Sequence, residues 1–186
     1  KIRDGLLLPG AEFLMEHRHM QLHNHEVIIN SAIAIIGLIF GKEELVKEAV
    51  YEKYGLLYQL EHGMLSNHMW FEGAFGYHFY ALTSFFAYEK FALHTPHSHI
   101  HHPNYKAMME LLFSYIEPGF RVPMLNDTNY GHTSSIYYLY EFAYREIGGD
   151  KLLYVLKELY KDEARDNLEA FIYGVDILPT CDIVPT

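Results

Sequence analysis

Glu26-Val27-Ile28-Ile29-Asn30-Ser31-Ala32-Ile33-Ala34-Ile35-Ile36-Gly37-Leu38-Ile39-Phe40-Gly41 is the stretch that decides the fold class. After Glu26 only Asn30 and Ser31 interrupt the apolar run, so the helix it predicts is apolar on nearly all sides and belongs inside a core. Gly41 is a natural C-terminal stop. The run Val27 to Phe40 is too short to span a bilayer and carries two polar residues within it. No other segment reaches spanning length.

Working outward, the same period recurs. Glu12 to Leu22 reads as a short helix before it. Glu43 to His62 reads as one helix after it, with Leu45, Val46, Ala49, Val50, Leu56, Leu57 and Leu60 at helical spacing and Gly63 as its end. Further helices are expected over Gly76 to Leu93 and over Tyr105 to Ile116, the second halted by Glu117-Pro118-Gly119. Val122 to His132 reads as a loop. Ser134 or Ser135 is placed to cap Ile136 to Ile147, Gly148-Gly149 ends that helix, and Asp150 is placed to cap Lys151 to Tyr160. Glu163 to Tyr173 is a last helix, and Asp176 to Val184 is the one segment with strand character.

The expectation is therefore an all-α chain of antiparallel helical hairpins, residues 1–186 forming a single helical domain. Such hairpins stack as an α-solenoid, a bundle or part of an (α/α) toroid. Periodicity does not separate the three, although no short fixed repeat supports a regular solenoid.

Composition narrows the function. The chain has 186 residues, half of them hydrophobic, which suffices for a real core. A net charge of −10 argues against nucleic acid, which requires a basic face. The same charge means that an acidic ligand must be held by local Arg, Lys and His. The single cysteine, Cys181, allows no intrachain disulfide and leaves the compartment open. The N-terminal Lys1-Ile2-Arg3-Asp4-Gly5 has no signal-peptide pattern. With the abrupt C-terminus it reads as a piece of a longer protein, with a secreted or periplasmic parent in view. Sixteen tyrosines suit ligands that are flat on one face and polar at the rim, as sugars are, though tyrosine also lines helix packing.

The densest chemistry lies in Asn67-His68-Met69-Trp70-Phe71-Glu72-Gly73-Ala74-Phe75-Gly76-Tyr77-His78-Phe79-Tyr80-Ala81-Leu82. Aromatic rings, two histidines, a carboxylate and two glycines crowd one turn-to-helix junction. A site that stacks a sugar, bonds its hydroxyls and moves a proton needs that mix. Asn24-His25 opens another helix and offers a second polar pair.

The run Trp70 to Leu82 resembles a stretch of the heparinase II/III and alginate lyase superfamily. Asn24-His25, followed by a small-residue apolar helix, resembles that family's Asn-His helix start, and Val122-Pro123-Met124-Leu125-Asn126-Asp127-Thr128 resembles its Pro-x-x-Asn-Asp loop. The three pieces occur in the family's order and span roughly Gln21 to Gly131. The resemblance implies an incomplete (α/α) toroid carrying a polysaccharide lyase site that cleaves a uronic-acid glycan by β-elimination. Family members usually add a C-terminal β-sandwich and a further catalytic His or Tyr, so this chain reads as a fragment of such a lyase.

A uronate lyase takes the weakly acidic C5 proton beside the sugar carboxylate and expels the C4 oxygen. Donors on the carboxylate favour the enediolate-like intermediate, each contributing about 3 kcal/mol. Asn24 and His25 fit that role, the alternatives being a helix cap and a surface residue. A tyrosine serves as base and then acid, but its ordinary pKa of about 10 requires a nearby cation. The family pattern names Tyr77, with Tyr80 one turn on as competitor. Both are also readable as core aromatics. His25, His78 or Arg121 could supply the positive charge. Trp70 is either a stacking platform or a core anchor. Glu72 orients the base, bonds a sugar hydroxyl or favours the helix start. Trp70, Glu72, His78, Tyr80, Arg121 and Asn126 are the substrate-binding candidates, although Asn126-Asp127 is also a common turn.

This mechanism needs no metal. His94, His97, His99, His101 and His102 could hold zinc, but no Cys is near, no His-Glu-x-x-His helix exists, and an exposed, substrate-facing loop is the stronger reading. The alternatives to a lyase are a glycan-binding helical domain without catalysis and a His-rich metal-binding helical protein. An acidic polysaccharide or oligosaccharide is the expected partner, with no nucleic acid and no membrane. A truncated toroid would also expose apolar helix faces open to self-association.

Overall fold

The computed structural model describes residues 1–117, 121–126, 137–162 and 164–185. Among them the chain is helical, with no strand and one isolated antiparallel bridge between Glu117 and Arg121. The strand expected over Asp176 to Val184 does not form; that segment is irregular. The capping residues Ser134 and Ser135, residue Asp127 and most of the loop over 122–132 lie outside the described residues.

The helices are α1 (Leu8–Glu16), α2 (Asn24–Phe40), α3 (Glu43–Val46), α4 (Leu56–His62), α5 (Phe75–Ala92), α6 (Pro103–Tyr115), α7 (Tyr137–Ile147), α8 (Asp150–Leu159) and α9 (Leu168–Tyr173). π-helical turns precede α1 (Arg3–Leu7) and follow α3 (Lys47–Tyr51). The chain groups into two compact units, residues 1–64 with 80–99, and residues 65–79 with 100–186. Helix α5 contributes residues 75–79 to the second and 80–92 to the first.

In the first unit α2 is the buried element, as its composition requires. Val27, Ile33 and Ala34 are fully buried, along with Val50, Leu82, Phe85 and Phe86 from neighbouring segments. Ser31 satisfies its hydroxyl on the Ser84 carbonyl at 2.8 Å. Gly41 ends α2 in the left-handed conformation (φ 62°), where a side chain would be strained. Gly37 allows the close approach of α3: a methyl there would stand 2.8 Å from the Val46 side chain and 3.1 Å from the Lys42 carbonyl oxygen.

The single helix expected over Glu43 to His62 is broken. A π turn ends at Tyr51, Tyr54 has φ 66°, and α4 starts afresh at Leu56. Buried amides hold the broken turn: the Asn30 and Gln59 side chains both donate to the Tyr54 carbonyl, at 2.8 and 3.1 Å. Tertiary hydrogen bonds here override a continuous apolar period.

The second unit packs Met69, Phe75 and Leu111 together, with Phe79, Tyr115 and Val122 against them. Helix α8 buries Leu152, Leu153, Val155, Leu156 and Leu159, and it contacts α6 and α7. Asp150 is the first residue of α8, and its N-cap is Gly149. Arg165 bonds the fully buried Glu141 carboxylate through both oxygens, at 2.7 and 2.6 Å. That bidentate pairing keeps a charge buried without leaving it orphaned.

Candidate functional site

The first unit's site is built on the start of α2. Asn24 is the first helical residue and only 3 % exposed, and its side-chain oxygen has no hydrogen-bond partner among the described residues. An unsatisfied buried polar atom is expensive and calls for an explanation. Capping does not supply one: the N-cap is His23, whose Nδ1 accepts the His25 backbone N–H at 3.1 Å. Asn24 is thus the first residue inside α2 and not its cap.

His25 is exposed on the first turn, and its ring lies 6.1 Å from that of Tyr80, nearly edge-on. Tyr80 is 38 % exposed, so this phenol is at the surface and not a core aromatic. Two residues outside the sequence expectations join them. The rings of His19 and His23 are 5.5 Å apart, His23 and His25 4.8 Å, and His19 and His25 6.1 Å. The spacing His19-x-x-x-His23-Asn24-His25 was the available signal, but it draws its meaning from the turn that folds His19 back.

That turn is pinned from beneath. The fully buried Glu26 carboxylate accepts the Arg18 Nε–H at 2.8 Å and the His19 backbone N–H at 2.7 Å. Arg18 is itself buried and also approaches Glu48. Gln59 accepts the His23 backbone N–H at 3.2 Å and donates to the Gln21 carbonyl at 2.7 Å. Met20, at φ 52°, takes the chain through the bend. The loop is thus fixed by a charge-assisted clamp and a buried amide, while its imidazoles stay accessible.

The second unit holds most of the other expected residues. Tyr77 is 38 % exposed near the start of α5. Its neighbour His78 is 1 % exposed: Nδ1 accepts the Trp70 backbone N–H at 3.1 Å and Nε2 bonds the Met108 carbonyl at 3.0 Å. Burial pushes the imidazole down to about 4, with the Met108 bond opposing. A neutral, enclosed ring of this kind neither touches a sugar nor supplies positive charge.

Trp70 is also fully buried, and its indole N–H donates to the Glu72 carboxylate at 2.6 Å. It is a core anchor and not a stacking platform, because no face of the ring reaches solvent. Glu72 is half-buried and spends one oxygen on that indole. Asn126 is exposed and at φ 52°, but its amide is occupied: it donates to the Gly73 carbonyl at 2.8 Å and more weakly to the Glu72 carbonyl. Its geometry makes it a latch on the Trp70–Gly73 turn. Arg121 is exposed and held by the short backbone bridge to Glu117. The exposed ring in this turn is Phe71, which sequence reasoning passed over beside the larger Trp70.

The His-rich loop is not a free surface loop. In the first unit the fully buried Glu89 accepts the Ser98 hydroxyl at 2.8 Å and the His99 backbone N–H at 3.1 Å. His97 pairs with Tyr51 through Nδ1 at 3.0 Å and approaches Glu43 through Nε2 at 3.4 Å. In the second unit His102 caps α6, its Nδ1 accepting the Asn104 N–H at 3.2 Å. His94 and His101 are exposed. Among the described residues no three His, Cys, Asp or Glu side chains are arranged to hold a metal ion.

What the first unit assembles is a set of accessible imidazoles, an unsatisfied amide and a phenol at one helix start. Those groups donate to an anion, donate to or accept from a hydroxyl, and exchange a proton. Comparison of the chain with protein-family models, with curated proteins and with solved structures finds no match to any.

Proposed function

We propose that this chain carries out the β-elimination chemistry of a polysaccharide lyase on a uronic-acid glycan, its helical hairpins being an arc of an (α/α) toroid. The observation that carries the reading is the exposed His25 imidazole at the start of α2 with the ring of the exposed Tyr80 phenol 6.1 Å away. The resemblance of Asn24-His25 and of Trp70 to Leu82 to the heparinase II/III and alginate lyase superfamily points the same way.

In the proposed reaction Asn24 and His25 hold the sugar carboxylate, so that the negative charge growing on its oxygens meets donors already in place. A phenolate takes the C5 proton, the C5 electrons form the C4–C5 double bond, and the C4–O bond breaks. The same phenol then returns a proton to the departing oxygen. Two tyrosines compete for that task. Tyr77 is the one the resemblance names, and Tyr80 is the one whose ring lies beside that of His25.

The test is the rise in ultraviolet absorbance of the unsaturated product on incubation with alginate, heparan sulfate, hyaluronan and other polyuronates. Replacing the catalytic phenol, in Tyr77→Phe or Tyr80→Phe, should lower the rate by about 100-fold or more. If both variants keep the parent rate, the assignment of a tyrosine base is wrong. If no polymer yields product but one is retained, the chain is a glycan-binding domain.

A further inference from the structure

We propose that His19 and His23 are carboxylate-binding residues, forming with His25 a three-imidazole anion site for an acidic sugar. This rests on the uronate reading above and adds residues that neither the resemblance nor the sequence pattern had assigned. A carboxylate offers two oxygens and about four acceptor positions, more than Asn24 and His25 alone satisfy. The rings of His19 and His23 stand next to His25, with separations of 4.8 to 6.1 Å around the three. Rings at those separations are near enough for one small anion to reach a nitrogen of each.

The nitrogens are available for it. The His23 Nδ1 is committed to the His25 backbone N–H, which leaves Nε2 for a ligand. The ring nitrogens of His19 and His25 make no hydrogen bond among the described residues, and none of the three imidazoles is paired with a carboxylate there. The Glu26 carboxylate, the nearest buried acid, is already consumed by Arg18, Asn30 and the His19 backbone. The site also lies on the first turn of the 17-residue α2, where the helix dipole favours negative charge. A metal ion is the weaker occupant, because among the described residues no three His, Cys, Asp or Glu side chains stand close enough together to hold one.

Imidazoles attract an anion when protonated, so binding should strengthen towards acid. The charged groups tied to this loop are Arg18, Glu26 and Glu48, joined in ion pairs, and the Tyr80 phenol of α5 lies beside His25. The ion pair of Arg18 with Glu26 is internally compensated and leaves the response to the histidines.

The experiment is a titration of the whole chain with glucuronate, followed by NMR of the histidine ring protons at about pH 6 and about pH 8. The neutral methyl ester of glucuronate serves as control. Saturable shifts are expected at His19, His23 and His25, weaker at the higher pH and absent with the ester. The double variant His19→Ala/His23→Ala should bind at least about tenfold more weakly. Lys161→Ala, which removes an exposed cation outside the cluster, should bind as the parent does, and amide spectra report whether each variant is folded. Equal binding by the folded double variant, equal binding of the ester, or no binding by the parent overturns the inference. Polymer cleavage is read separately. Cleavage with binding indifferent to His19 and His23 sinks the inference and leaves the lyase reading. Histidine-dependent binding with no cleavage of any polymer does the reverse.

Discussion

At the residue scale, the histidines divide by what their nitrogens bond. His78 is buried with both nitrogens used, and its folded state resists protonation down to about pH 4. The unfolded chain takes up that proton near pH 6.5. The unfolded state therefore binds more protons between these values, and stability falls as pH drops through the interval. The loss attributable to His78 is about 3 kcal/mol at most, and none is expected above about pH 7. Denaturant titrations of the parent and His78→Asn across that range check the sign: the variant should be weaker at neutral pH, but its stability should fall less on acidification. His19, His23 and His25 have free nitrogens and accessible rings, which is why they are suited to ligands where His78 is suited to the core.

At the element scale, composition and end signals located the helices well where one helix packs on its own terms. Helix α2 runs from Asn24 to Phe40 with Gly41 behind it, close to the expected limits, because apolar composition and a left-handed stop are local properties. The break inside Glu43 to His62 was not legible, because one of the amides that hold it, Asn30, comes from α2, and the other, Gln59, reads locally as one more position of a continuous helix. Gly37 makes the same point in a testable form. In a free helix Gly→Ala is worth about 1 kcal/mol of added stability. Here the new methyl meets the Val46 side chain and the Lys42 carbonyl, and overpacking of that kind costs about 1–3 kcal/mol. Gly37→Ala should therefore destabilise the chain, by up to about 2 kcal/mol net in equilibrium unfolding. A gain would mean that α2 and α3 are not in close contact.

At the scale of the whole molecule, the net charge of −10 sets a condition on any acidic polymer. Beyond a Debye length of about 10 Å in 0.1 M salt, the ligand meets the chain's overall field, which repels it. Within that distance it meets the imidazoles at the start of α2. Raising the salt from about 10 mM to about 150 mM shortens the repulsion first, since the cluster acts at contact. Association with a polyuronate should accordingly become faster over that range, read as kcat/KM in the absorbance assay or as the on-rate of a labelled oligosaccharide. A neutral oligosaccharide should show no such trend. A rate that falls from the lowest salt upward would show that local attraction controls the approach.

Local sequence alone determined that this chain is helical and where most of its helices lie. Those properties depend on period, composition and capping, which are written within a few turns. Only the tertiary structure decided which of the polar residues face solvent. It buried Trp70 and His78, turned Asn126 into a latch, enlisted the His-rich loop in the packing around Glu89, and folded His19 and His23 back beside His25. Each of those outcomes depends on a partner outside the residue's own helix or turn (Met108, Gly73, Glu89 or Glu26), from 7 to 53 residues along the chain, and no local pattern specifies whether such a partner will arrive.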